Sequence, residues 1–272
     1  MYDCNFLLCA VGAKYENFLP LVALSYLLFN ENCFVEIVVA DAVALRERLR
    51  SEWEVLERFY NKRFLLRQFT WDINGHLPNV LRFLEIPEVQ AVYTVITDVD
   101  IVCLDQSTVN WCQKHLRTTP YVNFVRPDSA RMSGVHHVLT KSYYSSKLKN
   151  LLLSYRNQQT SHLNDEMILY DLCSKAHGII DKNIQTRLIA GIHCSVNRLP
   201  RSITKDALEI AWSSWGTLHS INFAKLSASE AFVQMKPHLN KDMQSVVKNM
   251  QAENTYWSEK RLRTAQLSVL PR

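Results

Sequence analysis

VYTVITDVDIVCL, residues 92–104, decides how the rest of the chain reads. Val92, Tyr93, Thr94, Val95, Ile96 and Thr97 lead in, and Ile101, Val102, Cys103 and Leu104 resume the apolar run. β-Branched and aromatic residues favour strands, and an uninterrupted apolar run suits a strand covered on both faces. Asp98 and Asp100 interrupt the run. A carboxylate buried without a partner is costly, so both acids must meet a cation, a hydrogen-bond network or solvent at the edge of the sheet. In an extended segment residues i and i+2 share a face, so the pattern predicts that Asp98 and Asp100 aim at one point. That geometry suits a divalent metal carrying a phosphorylated ligand. Two solvated acids at a strand end are the plainer alternative.

Outward from this stretch, strand and helix patterns alternate. Residues 5–11 and 34–40 read as strands, and 63–69 as a further one. Helical spacing runs from Tyr15 to Asn30, over 42–60 and over 77–85. Beyond the acids, 120–126 and 133–139 read as strands and 141–156 and Asn164–Lys175 as helices. A strand and loop follow at 186–198, and the chain is mostly helical from about 204. Such alternation implies an α/β layer fold with a largely parallel sheet.

The 272 residues suit one large domain, or a domain with an appendage, and 47% hydrophobic content can supply its core. A net charge of +5 with dispersed Lys and Arg fits anionic ligands or an anionic membrane surface, not nucleic acid. Seven cysteines, an odd number without CxxC spacing, read as free thiols in a reducing, cytoplasmic compartment. No secretory signal is evident and no apolar run reaches membrane-spanning length. From Lys236 to Arg263 an amphipathic, basic pattern with Met243, Val246, Val247, Met250 and Trp257 suits either packing on its own domain or peripheral contact with the inner face of a membrane.

Taken in order, Cys9–Tyr15, Arg82, Asp98-Val99-Asp100, Ser133-Gly134, Asn164-Asp165-Glu166 and His193 resemble the motifs of the GT-A fold glycosyltransferases. The likeness covers roughly residues 5–198 and is nearest the family 8 branch of lipopolysaccharide galactosyl- and glucosyltransferases and glycogenin. After His193 the chain reads Cys194-Ser195-Val196-Asn197-Arg198, where that branch usually continues to a Gly and Lys-Pro-Trp. The resemblance implies an α/β fold of GT-A, Rossmann-like type: a mixed, mostly parallel sheet flanked by helices. A catalytic domain over 1–203 and a helical region over 204–272 packing on it would follow.

The resemblance also implies an activity. The chain would move a sugar from a nucleotide-sugar donor, first a UDP-sugar, to a glycan or lipid-linked acceptor with retention, as in polysaccharide or lipopolysaccharide biosynthesis. Mn2+ or Mg2+ would be held by Asp98, Asp100 and His193, hard oxygens and one imidazole suiting Mn2+. Donor contacts would come from backbone groups at Ala10, Val11 and Gly12, from Tyr15 against the base, and from Arg82, Asp98 and Arg198. Asn164 and Asp165 would act at the reacting sugars. Each has a structural alternative: Arg82 as an ordinary helix residue, Tyr15 on the surface, His193 in the core, Asn164 and Asp165 at a helix cap. Of His136 and His137, one is expected to face the acceptor and the other the core. A haloacid-dehalogenase-like phosphatase using Asp98 as nucleophile, and a non-catalytic GT-A-like binding protein, are the competing readings.

Overall fold

β1 (Tyr2–Ala10) is buried from Cys4 to Ala10 because it has a strand on each side and a layer over each face. Phe6, Leu8 and Ala10 enter one core, and Leu7 and Cys9 enter the other, the twofold alternation of an extended chain. β2 (Cys33–Val39) and β4 (Ala91–Ile96) run parallel to it on either side. β3 (Phe64–Gln68) is parallel to β2, and β9 (His136–Leu139) lies antiparallel between β4 and β6 (Tyr121–Val122). The six-stranded sheet has the order β3-β2-β1-β4-β9-β6. It is a mixed, mostly parallel α/β sheet flanked by helices, as expected. This computed structural model describes residues 1–160, 164–178, 188, 191–194, 217–252, 254 and 255.

The helical expectations hold in place but break where capping residues intervene. The 15–30 pattern divides into α1 (Ala13–Glu16) and α2 (Leu19–Phe29), and 42–60 into α3 (Ala42–Arg48) and α4 (Arg50–Tyr60), parted at Leu49. Residues 77–85 shrink to the single turn α5 (Leu81–Leu84). α6 (Thr108–His115) was not expected. α7 (Thr140–Tyr143), α8 (Ser146–Arg156) and α9 (Asp165–His177) follow. α2 packs against the first face of the sheet, α8 and α9 against the second.

Helices Thr217–Ala228, Glu230–Met235 and 241–252 close the first face. Met243, Val246, Val247 and Met250 are buried there, so this apolar stripe serves the protein's own core, not a membrane. Trp257 and the basic residues from Lys260 to Arg263 lie outside the described residues. No helix among the described residues is long and apolar enough to cross a membrane.

The main correction concerns 92–104. β4 ends at Ile96, and the next residues turn, with Ile101 N–H donating to the Asp98 carbonyl at 3.4 Å. β5 (Ile101–Cys103) leaves the main sheet and pairs antiparallel with β10 (Gly191–His193). Asp98 and Asp100 therefore occupy a turn between two sheets, and the shared-face argument for one extended strand does not apply. The expected strand at 120–126 is likewise divided. At the break, the Asn123 side chain donates to the Ser133 carbonyl at 2.9 Å and accepts from Ser133 N–H at 2.8 Å, beside the backbone bond from Ser133 N–H to the Phe124 carbonyl at 3.1 Å. Beyond it, β7 (Val125–Arg126) and β8 (Arg131–Met132) form a small hairpin.

Candidate active site

The turn after β4 sends its two acids to different partners. Asp98 pairs with Nη1 of Arg82, while Nη2 of the same guanidinium lies 3.1 Å from Asp165 Oδ2. Arg82 thus forks between an acid from the β4–β5 turn and one from the start of α9. It is not the exposed helix residue of the plain reading: its side chain is 8% exposed. Burial pulls the guanidinium pKa down, but Asp98 and Asp165 outweigh it and the net shift is upward. Charge-assisted contacts of this kind are the strong ones.

Space for the fork comes from Gly134. A Cβ there would sit 2.6 Å from Arg82 Nη2 and 3.5 Å from Asp98 Oδ1. Gly134 of the Ser-Gly pair is therefore a packing requirement of this ion cluster. Behind Arg82, α5 is held by a network that sequence reading missed. Glu36 on β2 is fully buried, accepting from Asn5 at 2.8 Å and from Arg67 at 2.7 and 2.9 Å. Arg67 also donates to Glu85, which follows α5 directly and accepts Trp71 Nε1 at 2.7 Å. Arg156 donates to the Leu84 carbonyl at 2.9 Å. A lone acid inside Phe34-Val35-Glu36-Ile37-Val38 was the available signal, since such a charge must be paired.

Asp100 turns the other way. Its Oδ1 lies 2.8 Å from His193 Nε2, and its carbonyl accepts Cys194 N–H at 2.6 Å. The β10–β5 register, with His193 opposite Ile101, fixes this meeting. Gly191 makes the register possible, because a Cβ there would fall 1.9 Å from the Val102 carbonyl oxygen. Two of the three metal candidates, far apart in sequence, are thus adjacent. Asp98 remains on Arg82, and among the described residues no three His, Cys, Asp or Glu side chains gather as a metal group. The carboxylate–imidazole pair of Asp100 and His193 nevertheless fits a divalent ion of the Mn2+ class by donor chemistry.

Ala10 ends β1 and is buried, and Val11 is half-buried. Gly12 has φ +92° and its N–H donates to Glu16 Oε1 at 3.0 Å, so that N–H caps α1 and does not face a base edge. Tyr15 is exposed on α1. Asn164 caps α9, its side chain accepting from Glu166 N–H at 2.9 Å. Asp165 meets Arg82, so the motif divides into a cap and an ion-pair partner. Arg198 lies outside the described residues. His136 and His137 are both buried; His136 contacts Asn123 at 2.9 Å and neither reaches an acceptor side. Burial, then the charge of neighbouring histidines, holds both pKa values low, that of His137 at about 3.

No family model matches this chain, and no curated protein sequence matches it. Solved structures do. Glycosyltransferases are among the similar solved structures. GlyE of Streptococcus pneumoniae TIGR4 aligns over 90% of this chain and 64% of its own at 12% identity and TM-score 0.49. Its apo form aligns over 68% and 46% at 11% identity and TM-score 0.46. The chain therefore spans about half to two thirds of the GlyE structures. Galactosyltransferase LgtC, solved with donor and acceptor sugar analogues, aligns over 78% of this chain and 96% of its own at 14% identity and TM-score 0.43. These are likenesses of chain path; the side chains of the site carry the functional argument.

Proposed function

We propose that the protein is a metal-dependent glycosyltransferase that moves a sugar from a nucleotide-sugar donor, first a UDP-sugar, to a glycan or lipid-linked acceptor with retention. One observation carries the reading. Asp98, Asp100, Asp165, Arg82 and His193, drawn from four separate segments of the chain, meet around one turn at the edge of the sheet. Ligands of open α/β sheets bind at such strand ends.

Asp100 and His193 would hold Mn2+ or Mg2+, with Asp98 as the third ligand. When bound, the ion neutralises charge on the departing diphosphate. The remaining work falls to the chain. Arg82 keeps the acids of the turn and of α9 at fixed separation, and Asp165, on the far side of the guanidinium, faces the reacting sugar and steadies positive charge at its anomeric carbon. Tyr15, exposed on α1 just after β1, offers an aromatic face to the base. Arg198 is proposed to meet the leaving diphosphate.

Calorimetry with UDP-, GDP- and CMP-sugars in Mn2+ tests this reading. At least one should bind and be slowly hydrolysed, and Asp100→Ala should abolish binding. Failure of the whole panel to bind would refute the proposal. Turnover of p-nitrophenyl phosphate, lost in Asp98→Asn, would replace it with a phosphatase.

A further inference from the structure

The site has a basic side as well as an acidic one. In the β7–β8 hairpin Val125 pairs with Met132 and Arg126 with Arg131. Val125 and Met132 are buried, which leaves the two arginines together on the opposite face. Like charges directly opposed on a ladder destabilise it. Glu166, in the first turn of α9, answers one of them: its Oε1 lies 2.6 Å from Arg126 Nη2. Arg131 has no ion-pair partner among the described residues, and its Nε is shut off from solvent without a hydrogen-bond partner there. A desolvated donor left in that state is costly. Two guanidiniums against one carboxylate leave one positive charge unanswered.

This charge lies beside the proposed transfer centre. Glu166 adjoins Asp165, which meets Arg82. β8 leads through Ser133 into Gly134, which packs on that same guanidinium. The hairpin belongs to the α9 side of the cluster, whereas Asp100 and His193 belong to the β5–β10 ribbon. At the hairpin's base Phe124 is 46% exposed, an apolar surface next to the charge.

We propose that Arg131, with Arg126 beside it, recognises a phosphate or carboxylate on the acceptor, carried on the sugar that is glycosylated or on its immediate neighbour. The inference rests on the glycosyl-transfer reading and adds the acceptor's chemical class. A planar guanidinium matches the two-oxygen face of such anions. Because Glu166 follows Asp165 directly, the anion lies close to the reacting hydroxyl and not on a distant lipid.

Calorimetry with inorganic phosphate on the full chain tests it, using wild type, Arg131→Gln and Arg131→Lys, each with and without saturating UDP and Mn2+. Wild type should bind phosphate, Arg131→Gln about tenfold more weakly, the loss of one charge-assisted contact, and Arg131→Lys in between. UDP with Mn2+ should leave phosphate bound. No binding by wild type, equal binding by Arg131→Gln, or displacement by UDP, which would assign the anion to the donor, overturns the proposal. If phosphate binds but none of UDP, GDP and CMP does with Mn2+, it is the transferase reading that fails, and the acceptor assignment falls with it.

Discussion

Gly191 and Val102 approach so closely that a methyl group on the glycine would lie 1.9 Å from the Val102 carbonyl oxygen. No side-chain rearrangement relieves a clash with backbone, so Gly191→Ala must push β10 away from β5. The expected outcome is a loss of stability of about 1–3 kcal/mol or more by urea unfolding, as for overpacking of a close contact. Divalent-ion binding, followed by calorimetry, should weaken as well, because β10 carries His193 to Asp100. Unchanged stability and ion affinity would contradict the register described.

Arg82→Gln should be far more damaging than its place on a one-turn helix suggests. The substitution leaves Asp98 and Asp165 facing one another without the cation between them. Removing one member of a buried ion cluster typically costs about 3–5 kcal/mol. Partial exposure of Asp98, at 24%, argues for the lower end of that range. Converting both acids to Asn in the Arg82→Gln background should recover part of the loss. If the triple variant is no more stable than the single one, the acids are not what makes the arginine necessary.

Acid should destabilise the protein through His136 and His137. Both are buried and neutral, and burial holds the His137 pKa at about 3. An unfolded histidine titrates near 6.5, so between these values the unfolded state binds more protons. Stability is then fully present above about 6.5 and is lost as pH falls toward the folded value, by up to about 1.4 kcal/mol per pH unit for each histidine. Urea midpoints for His137→Gln should fall less steeply with acid than those of the wild type. Parallel curves would show that this imidazole is already protonated in the fold.

Gly12→Ala probes the end of β1. Nothing lies within 4 Å of the added Cβ, so only the backbone at φ +92° resists it. A cost of about 1 kcal/mol in thermal or urea unfolding is expected, with α1 retained by circular dichroism. A much larger loss would mean that a contact, and not the backbone, demands glycine there.

The sheet was legible in the sequence because its inner strands bury both faces, so composition alone marks them. β1, β2 and the first half of 92–104 lie where the apolar runs place them. The break after Ile96 was not legible. Periodicity records which residues are apolar, not which sheet a strand joins, and Ile101–Cys103 are as buried in the ribbon as they would be in the main sheet. Asp100 and His193 meet because a short antiparallel pairing spans the distance between them. Arg82's second partner was hidden for a different reason: a fork between two acids depends on where α9 begins relative to β4. Glu36 could have been found, and with it the network behind α5, by asking what an acid does in a wholly apolar strand.

The β4–β5 turn gives Asp98 and Asp100 separate foundations. Asp98 is braced through Arg82 to α5 and α9, and Asp100 rides with the narrow β5–β10 ribbon. Val99 is the only residue between the two mountings. A ligand that engages both acids must therefore align two differently braced carboxylates across a joint one residue wide. Its affinity will depend on the compliance of that joint as much as on the ligands themselves, and substitutions in the ribbon far from any bound sugar can change binding by altering alignment alone.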